Sequence, residues 1–513
     1  MAERRNPGTR RVQAGAPPCY RAGAMKNATQ PAGPDQTVID RLKSVVGPQG
    51  WIAEQAGIEP YLVESRGLYH GATALVLRPA DTEQVSEIVR ICAAARLPIV
   101  PQGGNTGLVG GGVPSEDGHS VVLALGRMNR IRAIDPANFT LTAEAGCILA
   151  EIQQAADAVD RLFPLSLGAE GSCQIGGNLS TNAGGVQVLH YGNMRELVLG
   201  IEAVLPDGRI WEGLRTLRKD NTGYDLKQLF IGGEGTLGVV TAATLRLFPK
   251  PREIATALVG LPDAAAAMRL FARTREASGD QVTAFELMPR IGVEFALRHI
   301  AGVVDPLSQP YPTYALIELA SSRREAGLEA LLETILEAGL EAGEILDGTV
   351  AASEAQRRAL WLIREGLVEG QRHEGGSIKH DVSVPVASVA TFLERATAAV
   401  TARLPGIRVV AFGHAGDGNI HFNLSQPVGA DKAAYLERWA EFNAIVHEIV
   451  ADLHGSISAE HGIGLLKREE ITHYKSALEL ELMARIKAAL DPHNIMNPGK
   501  TVPDLSSFQG LST

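Results

Sequence analysis

The feature that most restricts this chain is the density of glycine in two stretches, PQGGNTGLVGGGVP at 101–114 and PLSLGAEGSCQIGGNLSTNAGGVQVLHYGN at 164–193. Glycine is costly in a folded backbone unless the chain must take positive φ or approach a ligand closely. The first stretch directly follows the apolar run LPIV, the pattern of a strand running into a loop. Successive backbone amides in such a loop form a nest for phosphate oxygens. The second stretch adds Ser, Thr and Asn donors among its glycines. Tight turns would account for a single Gly-Gly pair, whereas two clusters this dense point to a long, diphosphate-bearing cofactor. A third motif, GEGTLG at 233–238, fits the GxGxxG dinucleotide pattern. That fingerprint needs a helix after it, and the β-branched GVVTAATLRLF that follows reads as a strand, which disfavours NAD on a Rossmann fold.

With 513 residues, 45% of them apolar, the chain exceeds one hydrophobic core and is expected to form two or three domains. Residues 1–37 are rich in Arg, Pro and Gly without periodicity, and are expected to be a disordered extension. True initiation near Met25 explains that segment better than a transit peptide does. Residues 38–70 look helical, and GATALVLRPADTEQVSEIVRICAAARLPIVPQGG reads as a βαβ unit with Asp81 and Thr82 capping its helix. The first domain is expected to span 38–251, closing at the double Pro of LFPKP. Three strand, helix, strand units follow over 252–454, the pattern of an antiparallel sheet backed by helices. A final segment, 455–513, is too short for its own core and must pack on another domain.

Net charge −10 with no Lys/Arg run disfavours nucleic acid as a partner. No stretch reaches the apolar length of a membrane span or a secretory signal. The four cysteines form no CxxC pair and fit a reducing compartment, the cytoplasm, or the mitochondrial matrix if the source is eukaryotic.

A second constellation lies near the C-terminus. GHAGDGNIHFNL places His414 and His421 around a Gly-Asp-Gly-Asn turn, a hairpin signal that can bring the two imidazoles together. SAEHGIG adds Glu460 and His461. Two imidazoles and a carboxylate are a three-ligand set typical of catalytic zinc, but satisfied loop histidines explain the spacing equally well. His447 and His454 in HEIVADLH share that spacing and read as a solvated helix face. In REGLVEGQRHEGGSIKHDVSVP, Arg364 is placed at the end of an amphipathic helix. Lys379, Asp381 and Ser383 fall on one face of a following strand. Arg can grip a carboxylate in bidentate fashion and Lys can add a point charge, while surface salt bridges explain either residue alone.

The three glycine loops, in their order, resemble the FAD-binding domain of the vanillyl-alcohol oxidase and p-cresol methylhydroxylase superfamily. GHAGDGNIH, SAEHGIG and DPHNIMNPGK resemble the C-terminal half of its branch of D-2-hydroxyglutarate dehydrogenases, D-lactate dehydrogenases (cytochrome) and glycolate oxidases. The likeness runs from about residue 40 to 503. It implies an α+β fold: a two-subdomain FAD-binding domain of the p-cresol methylhydroxylase type, plus an antiparallel-sheet substrate domain backed by helices. It also implies that FAD contacts Gly103, Gly104, Asn105, Thr106 and Gly107 in the first loop, and Gly168, Ser172, Gly176, Asn178, Thr181 and Gly184 in the second. Gly235, Thr236, Gly238 and Val240 would lie near the adenine and ribose, and Asn497 near the flavin. Members that attach flavin through the first loop carry His where this chain has Asn105, so the FAD is expected to be non-covalent. By the same resemblance His414, His421 and Glu460 hold a divalent metal, expected to be Zn2+, His461 is the general base, and Arg364 and Lys379 bind substrate carboxylates. The implied activity is oxidation of a D-2-hydroxy acid, D-2-hydroxyglutarate first and D-lactate or glycolate as alternatives, to the 2-oxo acid. An FAD-dependent ether-lipid synthase is the alternative from another reaction class. The expected partners are the hydroxy acid, an electron acceptor such as an electron-transfer flavoprotein, quinone or cytochrome, and a second copy as a homodimer. One position departs from the branch: Val368 stands where some of those enzymes carry a hydroxyl that assists carboxylate binding.

Overall fold

The computed structural model describes residues 34–503. Cys19 and residues 1–33 of the expected N-terminal extension fall outside that range, and Gln36 and Thr37, assigned to that extension, instead open the first helix, capped by Asp35. Among the described residues no helix is long and apolar enough to cross a membrane.

Helix Gln36–Val46 buries Ile39, Leu42 and Val46 and stops at Gly47, which takes positive φ. Residues 47–70 are therefore not the continuous helix that the periodicity predicts. The Gly-Pro pair ends the helix, and a two-residue strand, Trp51–Ile52, and a single turn, Gln55–Ile58, follow. Asp81 caps helix Thr82–Ala95 by accepting from the Gln84 amide at 2.8 Å. The surrounding strands form a four-stranded sheet in the spatial order Trp51–Ile52, Val76–Leu77, Val121–Ala124, Ile99–Gln102. Val121–Ala124 lies parallel to both its neighbours and is buried throughout. Five antiparallel strands build the next sheet, with the strand after GEGTLG, Val239–Arg246, at its centre. A strand there confirms that GEGTLG is no Rossmann turn. Glu202 of this sheet ties it to helix Thr82–Ala95, accepting from Thr82 Oγ1 at 2.6 Å as well as from Thr241 Oγ1 at 2.8 Å and Arg132 at 3.1 Å.

From Glu253 onward the strands form one antiparallel sheet of eight with helices packed against it. Its order brings strand Val282–Pro289 beside Arg408–His414, which pairs with Asn419–Ser425 across the Ala415–Gly418 turn. Ser377–Ile378 and Asp381–Ser383 both pair with that last strand in one continuous register. Asp381 thereby lies opposite His421, and Ile378, His380 and Val382 point into the core.

The segment after residue 455 returns to the glycine loops. Asn497 donates its amide to Ile99 O at 2.8 Å, and its side chain to Gly111 O and Glu234 O. The buried Glu234 carboxylate accepts the amides of Ile463 and Gly464, each at 2.8 Å. These bonds lock the loop that carries His461 to the glycine-rich lobe.

Candidate active site

Strand register does most of the positioning. Glu286 pairs across the sheet with His414, and its Oε1 lies 2.6 Å from His414 Nδ1. The other oxygen of the same carboxylate accepts from Arg364 Nε, also at 2.6 Å. Glu286 is fully buried. Burial alone would raise its pKa, but the charges of His414 and Arg364 outweigh that and hold it at about 2. His414 answers in the opposite sense: burial would lower its pKa, and the carboxylates of Glu286 and Glu460 raise it to about 9. His421 is pushed down to about 3 by burial against the opposing pull of Asp381, which leaves it neutral at pH 7 with a free lone pair.

Glu460 sits between the two histidines, 3.8 Å from Nε2 of each. A tetrahedral zinc site with ligands at about 2.0–2.2 Å has ligand atoms roughly 3.4 Å apart, so these three donors suit one common ion. Asp381, Glu460 and His461 form a second acidic and imidazole set that shares Glu460. Its Asp381 is already engaged: Oδ2 accepts the amides of Glu460 and His461, each at 2.9 Å, and Oδ1 accepts Asn419 Nδ2 at 3.0 Å. In the first set His421 is neutral with a free lone pair, and the buried Glu286 carboxylate behind His414 is the arrangement that orients metal-ligating histidine, with a cation taking the place of the proton on His414 Nε2.

Asp381 faces two imidazoles, 3.7 Å from His421 Nδ1 and 3.5 Å from His461 Nδ1. Opposing charge from His461, Lys467 and His421 overcomes its burial and holds its pKa far below the usual carboxylate range. A proton on each Nδ1 is favoured there, which leaves Nε2 of His461 as the basic nitrogen. Burial lowers the pKa of His461, reinforced by Lys467, Arg66 and Lys379 and opposed by Asp381.

His461 also lines the long cavity formed by the glycine loops. Gly103, Gly104, Asn105, Thr106, Gly107, Gly176, Asn178, Thr181, Gly235, Gly238 and Val240 lie on its wall. Gly168, Ser172, Gly184, Thr236 and Asn497 do not. Thr236 is buried and bonds Gly233 O, Asn497 ties the C-terminal segment down, and a Cβ on Gly184 would meet Glu460 Oε1 at 3.2 Å. A Cβ at Gly104 would lie 2.2 Å from Ser172 O, so glycine there lets the two loops close on each other, whereas Gly107 faces open space. Asn105 takes positive φ and donates to Val63 O at 2.8 Å. Gln174 Oε1 and Asn178 Oδ1 are buried without a hydrogen-bond partner on this wall. Stranded acceptors in a glycine-lined cavity fit a bound molecule that carries donors.

Two expectations need correction. Arg364 lies in the middle of helix Glu354–Arg372, not at its end. The helix continues past it through Gly366 and Gly370, close-approach positions against Ala296 and Phe295 of helix Arg290–His299. The buried Arg364 guanidinium stacks 4.8 Å from the Phe412 ring. His447 is on no solvated face: it is 1% exposed and bonds Glu470 at 2.6 Å. His454 follows the end of that helix.

Sequence reasoning did not identify Glu286 or the bridging role of Asp381. Glu286 sits in an apolar strand, VTAFELMP, 128 residues from His414. A lone carboxylate in such a run was the available signal.

Residues 250–501 match the family described as FAD linked oxidases, C-terminal domain, and residues 73–213 match the FAD binding domain family. The chain is 41% identical over 436 residues to a mitochondrial D-2-hydroxyglutarate dehydrogenase of Danio rerio, covering 85% of this chain and 79% of that one. It is 39% identical over 470 residues to the mitochondrial D-2-hydroxyglutarate dehydrogenase of Arabidopsis thaliana, covering 91% and 82%. The fold is similar to that of p-cresol methylhydroxylase solved with substrate bound, with TM-score 0.70, 17% identity, and coverage of 92% and 97%.

Proposed function

The chain belongs to the family of FAD-linked oxidases that contains the D-2-hydroxyglutarate dehydrogenases, and from that premise we propose that this FAD-dependent dehydrogenase oxidises D-2-hydroxyglutarate at the cluster around Glu460 and His461. The observation that carries the reading is the sharing of two buried carboxylates. Glu286 binds His414 and Arg364 at once, and Asp381 faces His421 and His461 at once. Metal ligands, carboxylate grip and base are thereby fixed relative to one another.

When bound, FAD supplies a two-electron acceptor, and a divalent cation, Zn2+ on this donor set, supplies a Lewis acid for the substrate's oxygens. His414, His421 and Glu460 would hold the cation, and the glycine loops would hold FAD without a covalent link, since Asn105 offers no nucleophile. Arg364, fixed through Nε, keeps its terminal nitrogens for the α-carboxylate, and Lys379 adds charge from the link between strands Ser377–Ile378 and Asp381–Ser383. His461 takes the hydroxyl proton through Nε2. As that proton leaves, the Cα–H bond breaks and the carbonyl of the 2-oxo acid forms. The electron acceptor is proposed to be an electron-transfer flavoprotein, quinone or cytochrome, and the assembly a homodimer. The relatives' mitochondrial names support a matrix location in a eukaryotic cell, and the cytoplasm otherwise.

Anaerobic flavin bleaching with D-2-hydroxyglutarate, D-lactate, glycolate and their L-enantiomers tests the reaction. Bleaching by D-2-hydroxyglutarate is expected; silence toward every acid in the metal-loaded protein would shift weight to the ether-lipid synthase reading.

Two further outcomes follow from the site. Glu286→Gln leaves His414 without its anionic partner, and should weaken zinc about 10–100-fold in a competition titration against a chromogenic chelator. Wild-type affinity would remove the assigned role. Lys379 is held down to about 8, first by burial and then by the charges of Arg372 and Arg66. It is a cation below that value and neutral above it, so KM for the acid should rise as pH climbs through about 8. A KM flat from pH 7 to 9.5 would exclude Lys379 from binding the substrate's charge.

A further inference from the structure

Gly462 and Gly464, which follow His461 in the segment HGIG, both take positive φ and both press against the glycine-rich lobe. A Cβ on Gly462 would lie 2.9 Å from Glu234 Oε1, and one on Gly464 would lie 2.3 Å from Val109 O. The same two partners hold the backbone. Glu234 accepts the Ile463 amide at Oε1 and the Gly464 amide at Oε2, each at 2.8 Å. Val109 O accepts the Leu465 amide at 2.8 Å and the Leu466 amide at 3.2 Å. The consecutive amides 463–466 are thus held by two residues that line the glycine-loop cavity, as His461 itself does. The amides of Glu460 and His461, by contrast, go to Asp381 of the other lobe. The chain therefore changes lobes between His461 and Ile463, with the imidazole at the crossing.

Glu234 is fixed from several sides. Its amide donates to Ser180 O at 2.8 Å, its carbonyl accepts Asn497 Nδ2 at 2.8 Å, and the residue is 7% exposed. It takes positive φ although Gly233 and Gly235 flank it. Left-handed backbone disfavours a residue with a Cβ, and glycine would serve the turn at lower cost. What glycine would lack is the carboxylate, and both oxygens of that carboxylate are spent on the loop that carries the base.

We propose that Glu234 is the positioning residue of the base, setting His461 against the cofactor cavity through the amides of Ile463 and Gly464. The inference rests on the reading of His461 as the base. Asp381 orients the imidazole from the sheet lobe, and Glu234 fixes its reach from the cavity wall. Proton removal depends steeply on such placement. Substrate binding by Arg364 and Lys379 belongs to the sheet lobe and does not pass through Glu234.

The test uses FAD- and zinc-loaded protein. Glu234→Gln keeps one acceptor oxygen and turns an amino group toward the other amide, while the bonds to Asp381 and Val109 remain. In anaerobic stopped flow with D-2-hydroxyglutarate, the limiting rate of flavin reduction should fall about ten- to a hundredfold. The substrate Kd should stay within about twofold of wild type. Hydrogen exchange followed by mass spectrometry should quicken at least about tenfold at the Ile463 and Gly464 amides and stay unchanged at Glu460 and His461. Gly462→Ala, which drives a methyl group toward Glu234 Oε1, should reproduce both changes, and it decides the matter if Glu234→Gln does not fold. A wild-type reduction rate in the folded variant, a loss shared equally between rate and Kd, unchanged exchange at 463 and 464, or flavin lost from both variants would overturn the proposal. Failure of the reaction itself shows differently, as a wild type that does not bleach.

Discussion

His461→Ala should turn over D-2-hydroxyglutarate between about a hundredfold and ten-thousandfold more slowly than wild type, the range that a positioned general base contributes, while retaining FAD and zinc. The loss should fall on kcat, because the carboxylate contacts of Arg364 and Lys379 do not pass through this imidazole. The backbone of residue 461, which donates to Asp381 at 2.9 Å, is untouched by the substitution, so the loop should keep its place. The pH profile gives a sharper reading than the rate alone. A base works deprotonated, and burial lowers the pKa of His461. The acid limb of kcat/KM in wild type should therefore lie below the ordinary histidine range near 6.5 and should vanish in His461→Ala. An FAD- and zinc-loaded variant that kept full turnover, or kept the same acid limb, would remove His461 from the proton transfer.

Local signals carried much of this site. The glycine loops announced a phosphate-bearing ligand because glycine at that density has few other uses, and the Gly-Asp-Gly-Asn turn put His414 and His421 on neighbouring strands. Those are short-range rules of backbone geometry, and the structure follows them from Arg408 to Ser425. The alternation of Lys379, Asp381 and Ser383 also holds, through the continuous register with the last strand of the hairpin. The inter-element relations were not legible. Glu286 gains its meaning from a pairing between strands 128 residues apart, and its own neighbourhood, AFELM, says only that a strand is buried. Read locally, Arg364 falls at a helix end, yet the helix runs on through Gly366 and Gly370 to Arg372. Those glycines admit Phe295 and Ala296 at close range, a use that depends on a partner helix no local pattern announces. His447 failed in the same way, since its buried bond to Glu470 crosses from one helix to the loop segment beyond it.

Removing the cation should cost about a thousandfold in kcat/KM, the several kcal/mol that a Lewis acid contributes to a developing alkoxide, without unfolding the protein. The metal-free site is internally satisfied: His414 keeps its 2.6 Å bond to Glu286, Glu286 keeps Arg364, and Glu460 remains tethered through its amide to Asp381. Chelation followed by desalting should therefore give a yellow, folded protein whose flavin no longer bleaches with D-2-hydroxyglutarate, and zinc should restore bleaching. His421→Ala separates ligand loss from general damage. His421 is neutral because burial has driven its pKa to about 3, so its removal strands no buried charge of its own, and thermal stability should drop by no more than a large-to-small core change allows, about 2–5 kcal/mol. Zinc content by elemental analysis should fall with activity in this variant, and excess zinc should rescue it poorly. Full bleaching by a chelated, zinc-free protein would show that Arg364, Lys379 and His461 suffice. Glu460 would then be a buried carboxylate serving the imidazoles around it, and the case for a cation in this cluster would be lost.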